Sequence, residues 1–352
     1  MKINKKVLGI VSISLVLLTL IGVLSACSFL EAEQEISNTS IIEVIDNSEL
    51  NIETIKSEEE INKNIYVKFI DVGQADSCVI VTPNNDVILI DAGEKKDASE
   101  IIPELEKYDF EDIDLMILSH PHADHIGGAE TLIGKYDVNE VLMCSYPATS
   151  KLFNSLLDCL TDKSIKTSQA SIGMKYSIDG VNIEVMAVDT EEKDNNNSSI
   201  VCKISYGDID MMFMGDGEIP VEEVMLSKYL ETDLDCEILK VGHHGSETST
   251  CDEFLDIVSP SLCVISVGKG NSYNHPAEDT LLKFKDRNIS YYRTDELGSI
   301  ELEIDGTNIV SNFTDSYETE NTQSGNFLLE PAVAEVHLHT EEDVLNQVSE
   351  NK

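Results

Sequence analysis

One short string decides most of what this chain can be. Residues 115–118, Leu-Met-Ile-Leu, read as a buried strand, and Ser119-His120-Pro121-His122-Ala123-Asp124-His125 follows it directly. Three imidazoles and a carboxylate this close together crowd and repel one another unless a cation collects them. Neutral imidazole and carboxylate are suitable ligands for zinc and similar divalent ions. Gly127 and Gly128 come next and allow backbone to approach closely beneath a site. The competing reading is a surface loop that happens to be rich in histidine. It fits poorly, because six of the eight histidines fall in three strings, His120 to His125, His243-His244 and His275, each just past an expected strand. Gathering ligands from strand ends into one crevice is how α/β enzymes usually build sites.

The chain around these strings alternates as an α/β domain does. Runs at 66–71, 77–82 and 87–90 read as consecutive strands, with the turn Pro83-Asn84-Asn85-Asp86 between the last two, and helical spacing follows at 99–107. A second set has strands at 181–188, 200–205 and 211–214, a helix at 218–229 and a strand at 237–241. Helices at 252–258 and 277–287 then alternate with strands at 262–267, 289–292 and 299–304. Two mixed halves, each with strands and outer helices, predict a layered α/β fold over residues 65–311.

With HxHxDH placed after a strand, the chain resembles the metallo-β-lactamase superfamily. Further matches occur in order: Asp91 in Leu89-Ile90-Asp91-Ala92-Gly93, Asp216 in Met214-Gly215-Asp216-Gly217, and the pair in Gly242-His243-His244-Gly245-Ser246. The resemblance implies an αββα four-layer sandwich with divalent metal ions, one or two per chain, at one edge of two packed sheets. It implies that His120 and His122 hold the first ion, that Asp124 and His125 hold the second, and that Asp216 bridges them. His243 or His244 completes the second site, and the sequence does not decide which; the other is left to contact substrate. Asp91 is expected to support the loop rather than bind metal. Many members supply one more histidine about twenty residues before the bridging aspartate. Here that stretch reads Asp194-Asn195-Asn196-Asn197-Ser198-Ser199, with no imidazole. A first site short of one strong ligand tilts the expected ion from zinc toward the harder manganese.

Longer strings narrow the resemblance. Asp71-Val72-Gly73-Gln74-Ala75-Asp76-Ser77, Lys240-Val241-Gly242-His243-His244-Gly245-Ser246, Asn271-Ser272-Tyr273-Asn274-His275-Pro276 and Tyr292-Arg293-Thr294-Asp295 are similar to the hydrolase domain of ComEC competence proteins and their free-standing relatives. Ala75 departs from the usual Gly. The membrane-channel region of full ComEC proteins has no counterpart, so a free-standing hydrolase is expected and not the DNA pore. The resemblance implies metal-assisted hydrolysis of a phosphodiester, single-stranded DNA among the substrates. Asp124 would then orient the nucleophile, His275 would protonate the leaving oxygen or hold a phosphate, and Lys240 is grouped with them as catalytic. The plainer alternative for His275 is a support for its loop. Asp71 and Asp76 brace the metal loop or cap a turn, and the run Asn195 to Ser199 shapes a phosphate pocket or is simply a loop.

The ends read differently. Met1 to Lys6 carry three lysines, residues 7–24 are apolar apart from small polar residues, and Leu24-Ser25-Ala26-Cys27 resembles a lipobox, so residues 1–27 read as a lipoprotein-type signal peptide. An uncleaved anchor or an ordinary signal peptide is the alternative. Residues 28–64 read as an acidic tether and residues 312–352 as an acidic tail, where His337 and His339 lie among Glu residues with no strand or helix context. The expected placement is the outer face of the cytoplasmic membrane, through lipid on Cys27, with no obligate protein partner. Cys27 apart, seven cysteines remain, an odd number without CxxC spacing, and Cys78, Cys202 and Cys263 lie in apolar runs where a thiol acts as a small buried hydrophobe.

The formal charge of −42 leaves about −29 on residues 65–311 once both ends are set aside. Such charge opposes tight polyanion binding, which normally comes from many Lys and Arg contacts. Exposed charges are screened over about 8 Å at physiological salt, so a local strip of Lys240, Lys269, Lys283, Lys285 and Arg293 is the candidate contact for an anionic substrate. Two other functions fit the same residues: a hydrolase of small or cell-wall phosphodiesters, esters or lactams, and a surface binding module keeping a structural metal. Asp124 and Asp216, expected for reaction more than for structure, favour an enzyme. The anchor has a direct check. Cells fed a clickable palmitate analogue should label the wild-type chain and leave Cys27→Ala unlabelled; equal labelling of both would exclude lipid on Cys27.

Overall fold

Short strands buried on both faces set the architecture. The computed structural model describes residues 63–189 and 195–311 and the backbone of a strand at Phe327–Leu329. The expected signal peptide, nearly all of the tether and most of the tail lie outside the described residues. Strand β1 (Ile65–Phe69) sends Ile65, Val67 and Phe69 to one side and Tyr66 to the other. Strands β2 (Cys78–Val81) and β3 (Val87–Ile90) extend it antiparallel, and helix α1 (Ala98–Leu105) crosses back so that β4 (Leu115–Leu118) joins β3 in parallel. Helices α2 (Ala123–Ile126) and α3 (Ala129–Lys135) lead to β5 (Glu140–Met143), and α4 (Lys151–Asp162) leads to β6 (Lys166–Gln169), both strands again parallel.

A second sheet starts antiparallel with β7 (Lys175–Ile178), β8 (Val181–Ala187), β9 (Val201–Tyr206) and β10 (Ile209–Phe213). Helices α5 (Ile219–Lys228) and α6 (Glu231–Leu234) cross to β11 (Ile238–Lys240), α7 (Asp252–Val258) to β12 (Leu262–Ile265), and α8 (Glu278–Asp286) to β13 (Ser290–Arg293), all parallel. After α9 (Thr294–Leu297) the chain returns to the first sheet as β14 (Ile300–Ile304) beside β1, then β15 (Ile309–Ser311) and β16 (Phe327–Leu329). Parallel neighbours cannot be joined by a tight turn, so each pair needs a crossover. The helices supply it.

The strand period of two then divides the apolar residues into layers. Between the sheets, Val67, Phe69, Ile80 and Ile117 meet Val185, Ile204, Met211 and Phe213, and the Phe69 and Phe213 rings stack at 5.8 Å between centroids. The outer face of the first sheet, with Val79, Leu89, Met116 and Val141, is covered by Ile101, Leu105, Leu132 and Leu156 from α1, α3 and α4. The outer face of the second, with Met212, Leu239 and Cys263, is covered by Val221, Met225, Phe254 and Phe284 from α5, α7 and α8. The order of layers is therefore helix, sheet, sheet, helix, the αββα sandwich of the metallo-β-lactamase type.

The hydrophobic pattern places most elements to within a residue or two but does not predict the stretch from α3 to β7. Strands β6 and β7 are largely exposed, so they lack the apolar alternation that would mark them. Helix α4 does carry a signal, with Leu152, Leu156 and Leu160 at a spacing of four and Ser150 accepting from Phe153 N as its cap. β16 falls inside the segment read as an acidic tail and pairs with β15, so the first sheet runs past the expected boundary at 312. All seven cysteines among the described residues are free, and Cys78, Cys202 and Cys263 are buried. No helix among the described residues is long and apolar enough to cross a membrane. Truncating the inter-sheet stack with Phe69→Ala should lower stability by roughly 3–5 kcal/mol. Urea unfolding followed by circular dichroism reads this, and a loss under about 1 kcal/mol would mean that the two sheets do not depend on that contact.

Candidate metal centre

The chemistry-bearing residues leave the C-terminal ends of parallel strands. Asp91 follows β3, the string Ser119 to His125 follows β4, Asp216 follows β10, His243 and His244 follow β11, and the loop to His275 follows β12. Ligands in open α/β sheets collect outside the carboxyl ends of strands, and here both sheets bring those ends to one edge. The loop between β8 and β9 adds Asn195 to Ser199.

Two sets of donor atoms meet there and share Asp216. Asp124, His125, Asp216 and His244 form one set, and His120, His122 and Asp216 form the other. In the first, Asp216 Oδ2 is 3.3 Å from His125 Nε2, Asp216 Oδ1 is 3.7 Å from His244 Nε2, and Asp124 Oδ2 is 3.4 Å from His244 Nε2. In the second, His120 Nε2 lies 3.7 Å from Asp216 Oδ2 and 2.9 Å from His122 Nδ1. His125 Nε2, His244 Nε2 and Asp216 Oδ1 are buried without a hydrogen-bond partner among the described residues. Buried polar atoms are rarely left so unless something electron-poor sits between them. A mixed set of imidazole nitrogens and carboxylate oxygens suits a divalent ion there.

The electrostatics agree with that fit. Burial alone would strip the proton from His125 and His244, but Asp216, with Asp91 on His125 and Asp76 on His244, outweighs it and raises both, His244 to about 10. Burial likewise works against the Asp216 carboxylate, yet the imidazoles of His125 and His244 hold it well below the usual range. A field that favours a proton between these atoms favours a metal cation in the same place. His120 is pushed well below the ordinary imidazole value, by burial and then by His125, which leaves it a neutral nitrogen donor.

A second layer of residues fixes the donors. Asp91, at the end of β3 with a positive φ of 57°, accepts from Ser119 N and Ser119 Oγ, both at 2.7 Å, and from His125 Nδ1 at 2.8 Å. Only one nitrogen of His125 is then left for the site. His244 is fixed in the same way, donating from Nδ1 to Ser266 O at 3.0 Å, with Asp76 Oδ1 at 3.3 Å. Ser199 Oγ accepts from Asp216 N at 3.1 Å. His243 and His244 are consecutive residues at φ 45° and 54°, a left-handed pair costly for any residue with a Cβ. Close packing explains the glycine before them, since a Cβ on Gly242 would lie 2.5 Å from Gly217 O. At Gly128 a Cβ would lie 2.3 Å from Ala92 O, the close approach expected from the sequence.

The left-handed pair separates two side chains that sequence cannot distinguish. His244 is buried within the four-atom set, whereas His243 is partly exposed, with Nε2 3.9 Å from Asp216 Oδ2 and Nδ1 donating to Glu218 Oε1 at 3.0 Å. Asn195 Nδ2 donates to His122 Nε2 at 2.8 Å, so an amide stands beside the set that lacks a histidine. A cleft of about 380 Å³ opens over both sets, walled by Gln74, Glu94, Asn196, His243, Tyr273 and His275. His275 Nδ1 is 3.5 Å from Gln74 Nε2.

Lys240, grouped with the catalytic residues from sequence, turns away from this cleft. Its ammonium is buried and donates to Asp76 Oδ2 at 2.7 Å and to Val241 O at 3.0 Å, so it acts through Asp76 on His244 and touches no substrate. The expected basic strip is not assembled either. None of its five members lines the cleft; Lys283 donates to Thr250 O, and Arg293 is paired with Asp295 and Glu296. Asp71 accepts from Gly73 N within a turn, while Asp76 braces the site. The sequence does not single out Ser119, Ser266 or Glu218, and it marks Ser199 only as part of the Asn195 to Ser199 run, not as the acceptor for Asp216 N. Only adjacency marks Ser119 and Glu218, one beside the histidine string and the other two residues after Asp216, and the carbonyl of Ser266 carries no side-chain signal at all.

Comparison with known proteins finds several to which this chain is similar. Residues 70–144 match the Metallo-beta-lactamase superfamily. The ComE operon protein 3 of Bacillus subtilis (strain 168) is 28% identical over 253 residues, covering 67% of this chain and 32% of that protein. Competence protein ComA of Neisseria gonorrhoeae is 29% identical over 233 residues, covering 66% and 31%. The chain thus spans about a third of the length of these curated relatives. Among solved structures, the metallo-beta-lactamase fold protein YhfI from Bacillus subtilis aligns with 69% of this chain and 100% of its own, at a TM-score of 0.47 and 10% identity. A metallo-β-lactamase-type fold with this donor set suits, in general terms, a metal-dependent hydrolase.

Metal titration of purified protein tests the assignment of donors. His244→Ala should lose one ion or weaken its binding at least tenfold, His243→Ala should keep both, and Asp91→Asn should weaken binding by roughly 10–100-fold. Loss of metal in His243→Ala with full retention in His244→Ala would reverse the roles of the pair.

Proposed function

We propose that this chain is a metal-dependent phosphodiesterase with single-stranded DNA as its first candidate substrate, exported and held at the outer face of the cytoplasmic membrane through lipid on Cys27. The observation that carries the reading is the sharing of Asp216 by two donor sets, the arrangement expected where two ions act on one phosphoryl group. When bound, zinc or manganese in these sets supplies Lewis acidity toward a phosphoryl oxygen and acidifies water. His120, His122 and Asp216 would hold one ion, and Asp124, His125, Asp216 and His244 the other.

The surrounding side chains supply orientation and proton movement. Asp124, like His122, is a donor open to the cleft, with 29% of its side chain exposed. Burial works against its charge, but the neighbouring imidazoles of His244, with Nε2 3.4 Å from Asp124 Oδ2, and His125 lower its pKa and keep it ionised. It can therefore accept a proton from an attacking water. Glu218 accepts a hydrogen bond from His243 Nδ1, which leaves the lone pair of Nε2 directed toward Asp216 and the cleft, where it can accept a hydrogen bond from water or substrate. His275 is held down to about 4 by burial and by the neighbouring His243 and His244, so at neutral pH it offers a hydrogen bond to a phosphate rather than a proton. That favours the phosphate-holding half of its sequence reading over the leaving-group acid.

Competence in the name of one relative supports testing DNA first. The second reading, a hydrolase of small or cell-wall phosphodiesters, is favoured by a cleft without Lys or Arg in its lining. Mature protein with manganese or zinc should turn over a bis(4-nitrophenyl) phosphate reporter and cut single-stranded DNA, and Asp216→Asn should lower both rates by at least roughly 10²-fold. Reporter turnover with DNA left intact would move the assignment to small phosphodiesters. No turnover of either, with metal bound, would remove the phosphodiesterase.

A further inference from the structure

We infer that Tyr273 is a stacking platform for one nucleobase of the bound strand, so that the site selects single strands through an aromatic ring and not through phosphate charge. Tyr273 is 65% exposed, far more than packing of a large aromatic ring requires. It walls the metal cleft and also a second groove of about 370 Å³ that continues from it. Its ring stacks on His275 at 5.7 Å and 30°, and His275 stacks on the metal-donor candidate His244 at 6.3 Å and 29°. A column of flat rings thus begins at the donor cluster and ends in solvent at Tyr273.

The loop that carries this ring is pinned. Asn271 Oδ1 accepts from Tyr273 N at 3.0 Å and from His275 N at 3.1 Å, while Asn271 Nδ2 donates to His275 O at 2.6 Å and to Gly268 O at 3.0 Å. A ring already held in place gives up little entropy when it stacks. Charge points the same way. Neither groove is lined by Lys or Arg, the second carries exposed Glu247, Glu278 and Asp279, and Lys96, next to the cleft, is engaged by Glu94. Carboxylates beside the site repel additional phosphates, so affinity has to come from something other than charge. Base–aromatic stacking supplies it and tolerates any base. A duplex keeps its bases inside its own stack and cannot offer one to Tyr273.

The inference takes its chemistry from the phosphodiesterase reading, but its binding step stands apart and is measured apart. Fluorescence anisotropy of a labelled thymidylate hexamer and its abasic counterpart, titrated with metal-loaded protein, provides the test. Tyr273→Ala should weaken hexamer binding roughly tenfold, and Tyr273→Phe should restore it to within about twofold of wild type because the ring, not the hydroxyl, stacks. The abasic oligomer should bind wild type about as weakly and should not respond to Tyr273→Ala. With one or two phosphates contacted, log Kd should change with log salt by a slope of no more than about 1.4. Hexamer binding unchanged by Tyr273→Ala, equal losses for both oligomers, or a steep salt slope would each overturn the inference. Reporter turnover measured in parallel separates the two claims: ring-dependent binding without turnover removes the enzyme and leaves the platform, whereas turnover with ring-independent binding does the reverse.

Discussion

Asp216 is a carboxylate with almost no solvent, enclosed by imidazoles from two strand ends, His120 and His125 after β4 and His243 and His244 after β11. An isolated buried charge is very costly, and only paired or coordinated charges persist in such places. Its neighbours must therefore be held where each offers one nitrogen to the same small volume. The fold meets this condition with strands buried on both faces, which cannot slip by a residue without turning apolar side chains outward. Each donor is placed immediately after such a strand, where the least chain separates it from the core. A layer of fixed polar residues then orients the donors: Asp91 and Ser119 hold His125, Ser266 and the Lys240–Asp76 pair hold His244, and Glu218 holds His243.

That division explains how much of the site was legible in the sequence. The histidine string, Asp216 and the later histidine pair stand out because ligands must be imidazole or carboxylate, which are uncommon directly after apolar runs. The residues that orient them are serines, a backbone carbonyl and acids of ordinary appearance, and nothing in their type announces the task. Lys240 shows the opposite error. A lysine beside a histidine motif suggests contact with an anion, but β11 is buried on both sides, so its ammonium has to find Asp76 inside the protein. His243 and His244 could not be separated at all, because neighbouring residues share every sequence property and differ only through the left-handed backbone that sends one inward and the other toward Glu218. For the fold, the two halves with central buried strands were legible, whereas β6 and β7 were not, since edge strands with solvent on one side need no apolar pattern.

The acidic character of the chain bears on substrate in a way that composition alone leaves open. Net charge repels polyanions only over the screening distance, so what matters is which charges lie within reach of the cleft. None of the cations that a basic strip would need lines the cleft, Lys240, Lys283 and Arg293 are engaged within the protein, and carboxylates occupy the neighbouring groove. Such a lining discourages a long ladder of phosphate contacts. A binding mode with a small charge footprint and a flat ring is consistent with both the donor cluster and the strongly acidic surface.

The Asn195 amide brings the same economy to the donor cluster itself. With only His120, His122 and Asp216 in its set, the first position has fewer strong donors than the second, which has Asp124, His125, Asp216 and His244. The Asn195 amide lies against His122, donating from Nδ2 to His122 Nε2 at 2.8 Å. Amide oxygen is a harder and weaker donor than imidazole nitrogen. It is the amide nitrogen of Asn195 that faces His122, so this set keeps three strong donors against four in the other. The two positions then differ in their support: His125 and His244 are braced from behind by Asp91, Asp76 and Ser266, whereas the set of His120 and His122 has one donor fewer.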